Sequence, residues 1–187
     1  MPAAPPPPVV VAPPAVAAPL GRPASLDLEL LTEDTFYGEL LSDLNTASSV
    51  VMATYLYDDP DVHRKLLARL EGRRAFELVM LIDRQACSSG VCRRMRPRLR
   101  DLIRAGADVY LCDGHSHGDL YGSRYASRRG HMHIKGVIVD RRVAYCGSMN
   151  ITRSARTNRE VMFKITGPPV RDLLAVFHGL ITAAEEM

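Results

Sequence analysis

The stretch His133-Ile134-Lys135-Gly136-Val137-Ile138-Val139-Asp140 leaves this chain few choices of local structure. Three consecutive β-branched residues, with Ile134 just upstream, read as a buried strand. Arg142-Val143-Ala144-Tyr145-Cys146 reads as a second strand, so Asp140 and Arg141 form the turn of a hairpin. Side chains alternate along a strand, which puts His133 and Lys135 on one face and Ile134 on the other. A tight turn centred on Asp140 and Arg141 predicts a register in which His133 lies opposite Ser148, near Asn150. The pattern is then His133, Lys135 and Asp140, followed after six intervening residues by Gly147-Ser148-Met149-Asn150.

These residue types suit attack on a phosphodiester. A neutral imidazole is a good nucleophile toward phosphorus, and its pKa lies near neutrality. Lys135 offers a point charge for phosphate oxygens, and Ser148 and Asn150 can hold the same oxygens without adding charge. A core histidine and a surface lysine on an ordinary hairpin would be the bland account. It explains a lone histidine better than it explains this whole constellation.

The pattern resembles the HKD signature of the phospholipase D superfamily. The similarity continues through Asn150-Ile151-Thr152 to Asn158-Arg159-Glu160, which is similar to the N-x-T…N-x-E tail of that family. Gly130-His131-Met132-His133 resembles the approach to the motif in its small single-motif members. Those members include bacterial nucleases, the mitochondrial cardiolipin hydrolase and Zucchini-type endonucleases. The likeness covers about residues 28 to 187 and is strongest from Gly130 to Phe163. It implies a covalent phosphohistidine on His133, with phosphate bound by Lys135 and Asn150. It implies that Glu160 orients the imidazole through its second nitrogen, that Asp140 is mainly structural, and that no cofactor or metal is needed. Active sites of the family use two copies of the motif, and this chain carries one. A homodimer is therefore implied, in which His133 of one subunit attacks and His133 of the other protonates the leaving group.

Charge is distributed unevenly. Residues 1–83 carry 6 basic and 12 acidic side chains, whereas residues 84–135 carry 11 basic and 4 acidic. The basic part is the half that approaches the motif, as an anionic substrate requires. Arg93, Arg94, Arg96, Arg98 and Arg100 form one cluster, readable as a solvated face or as phosphate contacts. Residues 113–130 show no periodicity and run straight into the motif. Tyr121, Arg124, Tyr125, Arg128 and Arg129 make this segment either a substrate-contacting flap or a mobile insertion.

Residues 1–24 are nearly all Pro, Ala and Val, and their prolines forbid a helix. They read as a disordered arm preceding a phosphodiesterase domain at 25–187. The apolar stretch within the arm is too short and proline-broken to span a membrane, and it lacks the basic leader of a signal peptide. An intracellular, cytoplasmic location is expected, with the mitochondrial surface suggested by the resemblance alone. Cys87, Cys92, Cys112 and Cys146 are expected as reduced thiols. Cys87, Cys92, Cys112 and His115 could form a zinc set, although their spacing matches no standard site.

Helices are expected at 35–45, from the turn at Asp58-Asp59-Pro60-Asp61 to Gly72, at 98–105, and over a closing stripe from Val170 to Ile181. Strands are expected at 49–57, 76–82, 107–112 and 160–165. This alternation followed by a hairpin indicates an α/β fold, a mixed sheet with helices on both faces and one HKD half-site per chain. The expected function is a phosphodiester hydrolase acting on nucleic acid as an endonuclease. The alternatives are a phospholipase D acting on cardiolipin or a related lipid, and a non-catalytic module that binds anionic ligands.

Overall fold

The computed structural model describes residues 25–72, 74–116 and 129–187. The arm at 1–24 and the candidate loop residues Tyr121, Arg124, Tyr125 and Arg128 lie outside the described residues. Over the described residues the strands are β1 (Asp27–Thr32), β2 (Ser49–Thr54), β3 (Glu77–Asp83), β4 (Asp108–Ser116), β5 (Arg129–His131), β6 (Gly136–Val139), β7 (Val143–Gly147), β8 (Val161–Thr166) and β9 (Glu185–Glu186). The helices are α1 (Glu33–Thr46), α2 (Pro60–Leu70), α3 (Arg84–Ser89), α4 (Met95–Arg104) and α5 (Pro168–Thr182), with a 3-10 turn at Ser154–Thr157.

The strand order is β1-β8-β7-β6-β2-β3-β4-β5, with β9 also pairing β4. β2, β3 and β4 run parallel, and the remaining neighbours are antiparallel. Period-two alternation splits the core. Val50, Met52, Met80, Val137 and Val139 face one apolar cluster with Phe36, Leu40, Leu66 and Leu99 of α1, α2 and α4. Ala53, Leu81, Ile138 and Ala144 face a second cluster with Val170 and Phe177 of α5. The fold is thus the expected mixed sheet flanked by helices on both faces.

Local chemistry sets the element ends. Asp59 caps α2 by accepting from the Asp61 and Val62 amides, both at 3.0 Å, and Pro60 supplies a helical φ at the first position. The β6–β7 connection has one residue more than the tight turn expected. Asp140 and Arg141 both adopt positive φ (51° and 56°), the Arg142 amide donates to the Val139 carbonyl at 3.0 Å, and Val139 pairs with Val143. The ladder is therefore shifted by one residue from the expected register, and it begins at Gly136↔Cys146. His133 and Lys135 lie between β5 and β6 and are not strand residues.

Several elements were not expected from the sequence: β1, α3, β5, β9 and the 3-10 turn. β1 is an edge strand that pairs with β8 from Asp27↔Thr166 to Thr32↔Val161. Among the described residues no helix is long and apolar enough to cross a membrane.

Candidate active site

His133 and Lys135 lie just before β6, and Ser148 and Asn150 just after β7, with Asp140 at the other end of the hairpin. His133 is exposed, and Lys135 is only 5% exposed. The Lys135 ammonium lies 2.7 Å from Nδ1 of His133 and 2.8 Å from its carbonyl oxygen. An ammonium has no lone pair, so Nδ1 accepts and the ring proton resides on Nε2. The Tyr55 ring lies beside both groups, with its centroid 4.9 Å from that of His133 and 5.7 Å from Lys135 Nζ.

Partial desolvation, then the neighbouring Lys135 charge and His131, hold the His133 imidazole below its usual pKa. Burial likewise lowers the Lys135 ammonium, opposed by the carboxylate of Glu160. A lowered pKa keeps the neutral, nucleophilic ring present to lower pH. We therefore expect the His133 ring, followed by NMR, to titrate below the ordinary imidazole value of about 6.5. Lys135→Met, which removes a repelling charge, should move that midpoint upward. A wild-type midpoint above the ordinary value, or a fall in the variant, would contradict this electrostatic account.

The second half of the motif is placed by backbone contacts. The Gly147 amide donates to the Lys135 carbonyl at 3.2 Å, which lays the start of Gly147-Ser148-Met149-Asn150 beside the lysine. Asn150 Oδ1 accepts from the Leu56 amide at 3.2 Å, so its Nδ2 donors are directed elsewhere and have no partner among the described residues. Tyr37 donates from its hydroxyl to the carbonyls of Asn150 and Thr152 at 3.2 and 2.9 Å. Arg156 stacks on that Tyr37 ring at 3.9 Å and forms a two-point ion pair with the fully buried Asp59 at 2.6 and 2.9 Å. None of Tyr37, Asp59 and Arg156 stands out in the sequence as a site residue, yet together they anchor the segment after the motif.

Glu160 is held by neighbours in its own chain. Its carboxylate accepts from Ser148 Oγ and from Asn158 Nδ2, the latter at 3.3 Å, and no hydrogen bond joins it to His133 of the same chain. Ser148 Oγ also accepts from the Val161 amide at 3.1 Å. Asp140 lies at the far end of β6, roughly 20 Å from His133 along extended chain. It accepts from the Ser48 and Ser49 amides at 2.7 and 2.8 Å and so ties the hairpin turn to the start of β2.

Two cavities flank the motif. One, of about 250 Å³, is lined by Leu56, Asp58, Arg93, Arg94, Thr152 and Ser154, with Val91 and Cys92. Among the described residues Arg93, Arg94, Arg96 and Arg100 have no ion-pair partner, whereas Arg98 donates to the Asp58 carbonyl. The other, of about 700 Å³, holds His133 itself together with His115, Arg129 and His131. Of the candidate loop residues, Arg129 is thereby brought beside the motif.

The candidate zinc set does not assemble. Among the described residues no group of three or more His, Cys, Asp or Glu side chains could hold a metal ion. Cys87 and Cys92 belong to one apolar cluster and Cys112 to the other, so the sheet separates them. Burial pushes the Cys112 thiol up to about 11, and Cys92 points its Sγ at the Tyr57 carbonyl, 3.9 Å away.

A family model described as the cardiolipin synthase, PLD-like domain matches residues 40–181. The chain belongs to this family, within the phospholipase D superfamily. Among solved structures, NucT from Helicobacter pylori is similar at 17% identity and a TM-score of 0.74, covering 87% of this chain and 100% of that one. The phospholipase D family member Nuc from Salmonella typhimurium is similar at 18% identity and a TM-score of 0.70, covering 87% and 99%. Phosphatidylserine synthase from Haemophilus influenzae is similar at 16% identity and a TM-score of 0.59, covering 87% of this chain and 40% of that one. At these identities the likeness is one of fold. No curated protein matches the sequence.

Proposed function

We propose that this chain is a phosphodiester hydrolase working through a covalent phosphohistidine, in a site completed by a second copy, with nucleic acid as its substrate. The observation that carries this reading is the nearly buried Lys135 ammonium held against the exposed His133 imidazole. That pairing supplies a nucleophile and a phosphate-oxygen ligand at one point.

A phosphate entering the site draws Lys135 and the Asn150 amide onto its oxygens, which releases Nδ1 of His133. The ring can then carry its proton on Nδ1, and the lone pair on Nε2 attacks phosphorus. The N–P bond forms as the P–O bond to the leaving alkoxide breaks. A second imidazole, the partner's His133, gives that alkoxide its proton. The now neutral second ring takes a proton from water, whose oxygen attacks phosphorus and releases His133. Within one chain the Glu160 carboxylate rests on Ser148 and Asn158, so the imidazole it orients is the partner's.

Exposed apolar side chains near Glu160 support association. Leu28 and Leu30 on β1 are 60% and 61% exposed, and Val161 and Phe163 are also exposed on the neighbouring β8. Sedimentation should give a dimer at the concentrations where the protein is active. A fully active monomer would remove the two-histidine arrangement.

Nucleic acid is favoured by basic side chains on both sides of His133 and by a fold shared over the whole length of Nuc and NucT. A second reading, a phospholipase D or cardiolipin hydrolase, draws on Ile134, Leu180 and Ala183, which add apolar surface to the larger cavity. The deciding experiment is parallel incubation with single-stranded RNA, single-stranded DNA, duplex DNA and cardiolipin vesicles, with and without EDTA. Cleavage of a nucleic acid, nearly unaffected by EDTA, is expected because Lys135 and Asn150 occupy the role of a metal cation. Cleavage of cardiolipin alone would replace the nuclease reading. Loss in EDTA that Mg2+ restores would exclude the mechanism.

A further inference from the structure

His133 is not the only imidazole at its cavity. Asp83, at the end of β3, is fully buried. Its Oδ1 accepts from the Ala86 amide at 2.6 Å, capping α3, and from Nδ1 of His131 at 3.1 Å. Its Oδ2 accepts from the Met132 amide at 2.7 Å. One carboxylate thus fixes the backbone immediately before His133 and the ring two residues before it. The His131 side chain is 45% exposed, and its ring meets the edge of Tyr55 with centroids 5.3 Å apart, so Tyr55 contacts both imidazoles.

The pair is displayed by a close strand contact. A Cβ at Gly114 of β4 would sit 2.6 Å from the Gly130 carbonyl carbon and 2.7 Å from the His131 carbonyl oxygen, so only glycine lets β5 approach this near. Gln85, on α3, adds a hydrogen bond from Nε2 to the Arg129 carbonyl at 3.0 Å. Asp113, the one carboxylate lining the cavity among the described residues, is paired with Arg84 at 3.2 Å. Among the described residues, Arg129 and the Nε2 edge of His131 therefore face a cavity whose one lining carboxylate is already paired with Arg84.

We propose that His131, held by Asp83 and assisted by Arg129, is a second phosphate subsite, binding the phosphate next to the one that His133 attacks. With Nδ1 held by Asp83, Nε2 is left facing the phosphate, and a ring that takes up a proton together with the anion donates to it from Nε2. His131 and His133 line the same cavity, and the Cα atoms of residues two apart in a chain lie at most about 7 Å from each other. That matches the separation of neighbouring phosphates along a single nucleic-acid strand. The cavity with Arg93 and Arg94 adjoins the motif on its other side through Leu56, whose amide holds Asn150. Donors on both sides select a chain of phosphates, a polynucleotide, over a two-phosphate lipid. This inference rests on the phosphodiesterase reading and adds to it a residue outside the motif.

The test compares a short single-stranded oligonucleotide with bis(4-nitrophenyl) phosphate, a diester with one phosphate. In His131→Ala and Arg129→Ala the loss of kcat/KM on the strand should exceed the loss on the one-phosphate diester by about tenfold, mostly through KM. Asp83→Asn should follow them in the same sense, and His131→Arg should recover part of the loss. Equal losses on both substrates would reduce His131 to a structural role and overturn the proposal. A selective loss on cardiolipin vesicles, with the oligonucleotide unaffected, would overturn the choice of a polynucleotide. Binding of a labelled oligonucleotide to His133→Ala protein, with and without His131→Ala, needs no turnover. About tenfold weaker binding of the double variant supports the subsite even if the proposed hydrolysis fails, and equal binding rejects it.

Discussion

His133→Ala protein should fold normally and lose hydrolysis by at least about a thousandfold. The ring is exposed, and its removal leaves Lys135 its bond to the carbonyl of residue 133. The stability change should stay within about 1 kcal/mol, as for surface substitutions generally. The catalytic change should be large because the side chain is the proposed nucleophile, and in a two-fold site it is also the proposed acid. Both functions disappear with one substitution. Thermal melting and turnover on the same preparation check the two halves. Substantial turnover by a well-folded variant would remove His133 from the chemistry.

Gly147→Ala should have the opposite character, with a large effect on the fold and an indirect one on the site. A Cβ at Gly147 would stand 2.2 Å from the Val161 carbonyl oxygen and 2.8 Å from Met162 Cα. These are backbone atoms of β8, locked in register by the pair Gly147↔Met162, so neither side can yield cheaply. Overpacking of this kind costs about 3 kcal/mol, or roughly 6–12 °C in melting temperature for a chain of this size. Ser148 and Asn150 follow directly, so the strand shift that relieves the clash also displaces the phosphate ligands. The glycine of the GSxN pattern is thus explained by strand packing. An unchanged melting temperature would mean that β7 and β8 are not this close.

Much of this arrangement was legible in the sequence because it is local. The β-branched run after Lys135, the Asp59-Pro60 helix start and the apolar stripe of α5 each carry their own periodicity. Alternation puts Lys135 and His133 on one face, whereas the contact between them and the burial of Lys135 come from the structure. What escaped depends on distant partners. β1 alternates Asp27 and Glu29 with Leu28 and Leu30, but those leucines remain exposed and only Leu31 is buried, so the strand is set by its pairing with β8 and not by a buried face. The hairpin register differs by one residue from a two-residue turn because nothing in Asp140-Arg141-Arg142 shows that the third residue also belongs to the turn. Asp83, Tyr55 and Tyr37 reach the motif from separate strands and a helix. Asp83 left one trace, an aspartate closing an apolar strand three residues before Ala86, which is the pattern of a helix cap. The zinc set failed because sequence spacing does not reveal which face of the sheet a cysteine occupies.

The central claim is that a covalent bond forms between His133 and phosphorus. Brief turnover of a phosphate-labelled substrate, quenched and denatured in alkali, tests it most directly. The account predicts alkali-stable, acid-labile label on the peptide containing His133, and none in His133→Ala protein. Label on any other residue, or product formed in a burst with no labelled protein at any quench time, would contradict it.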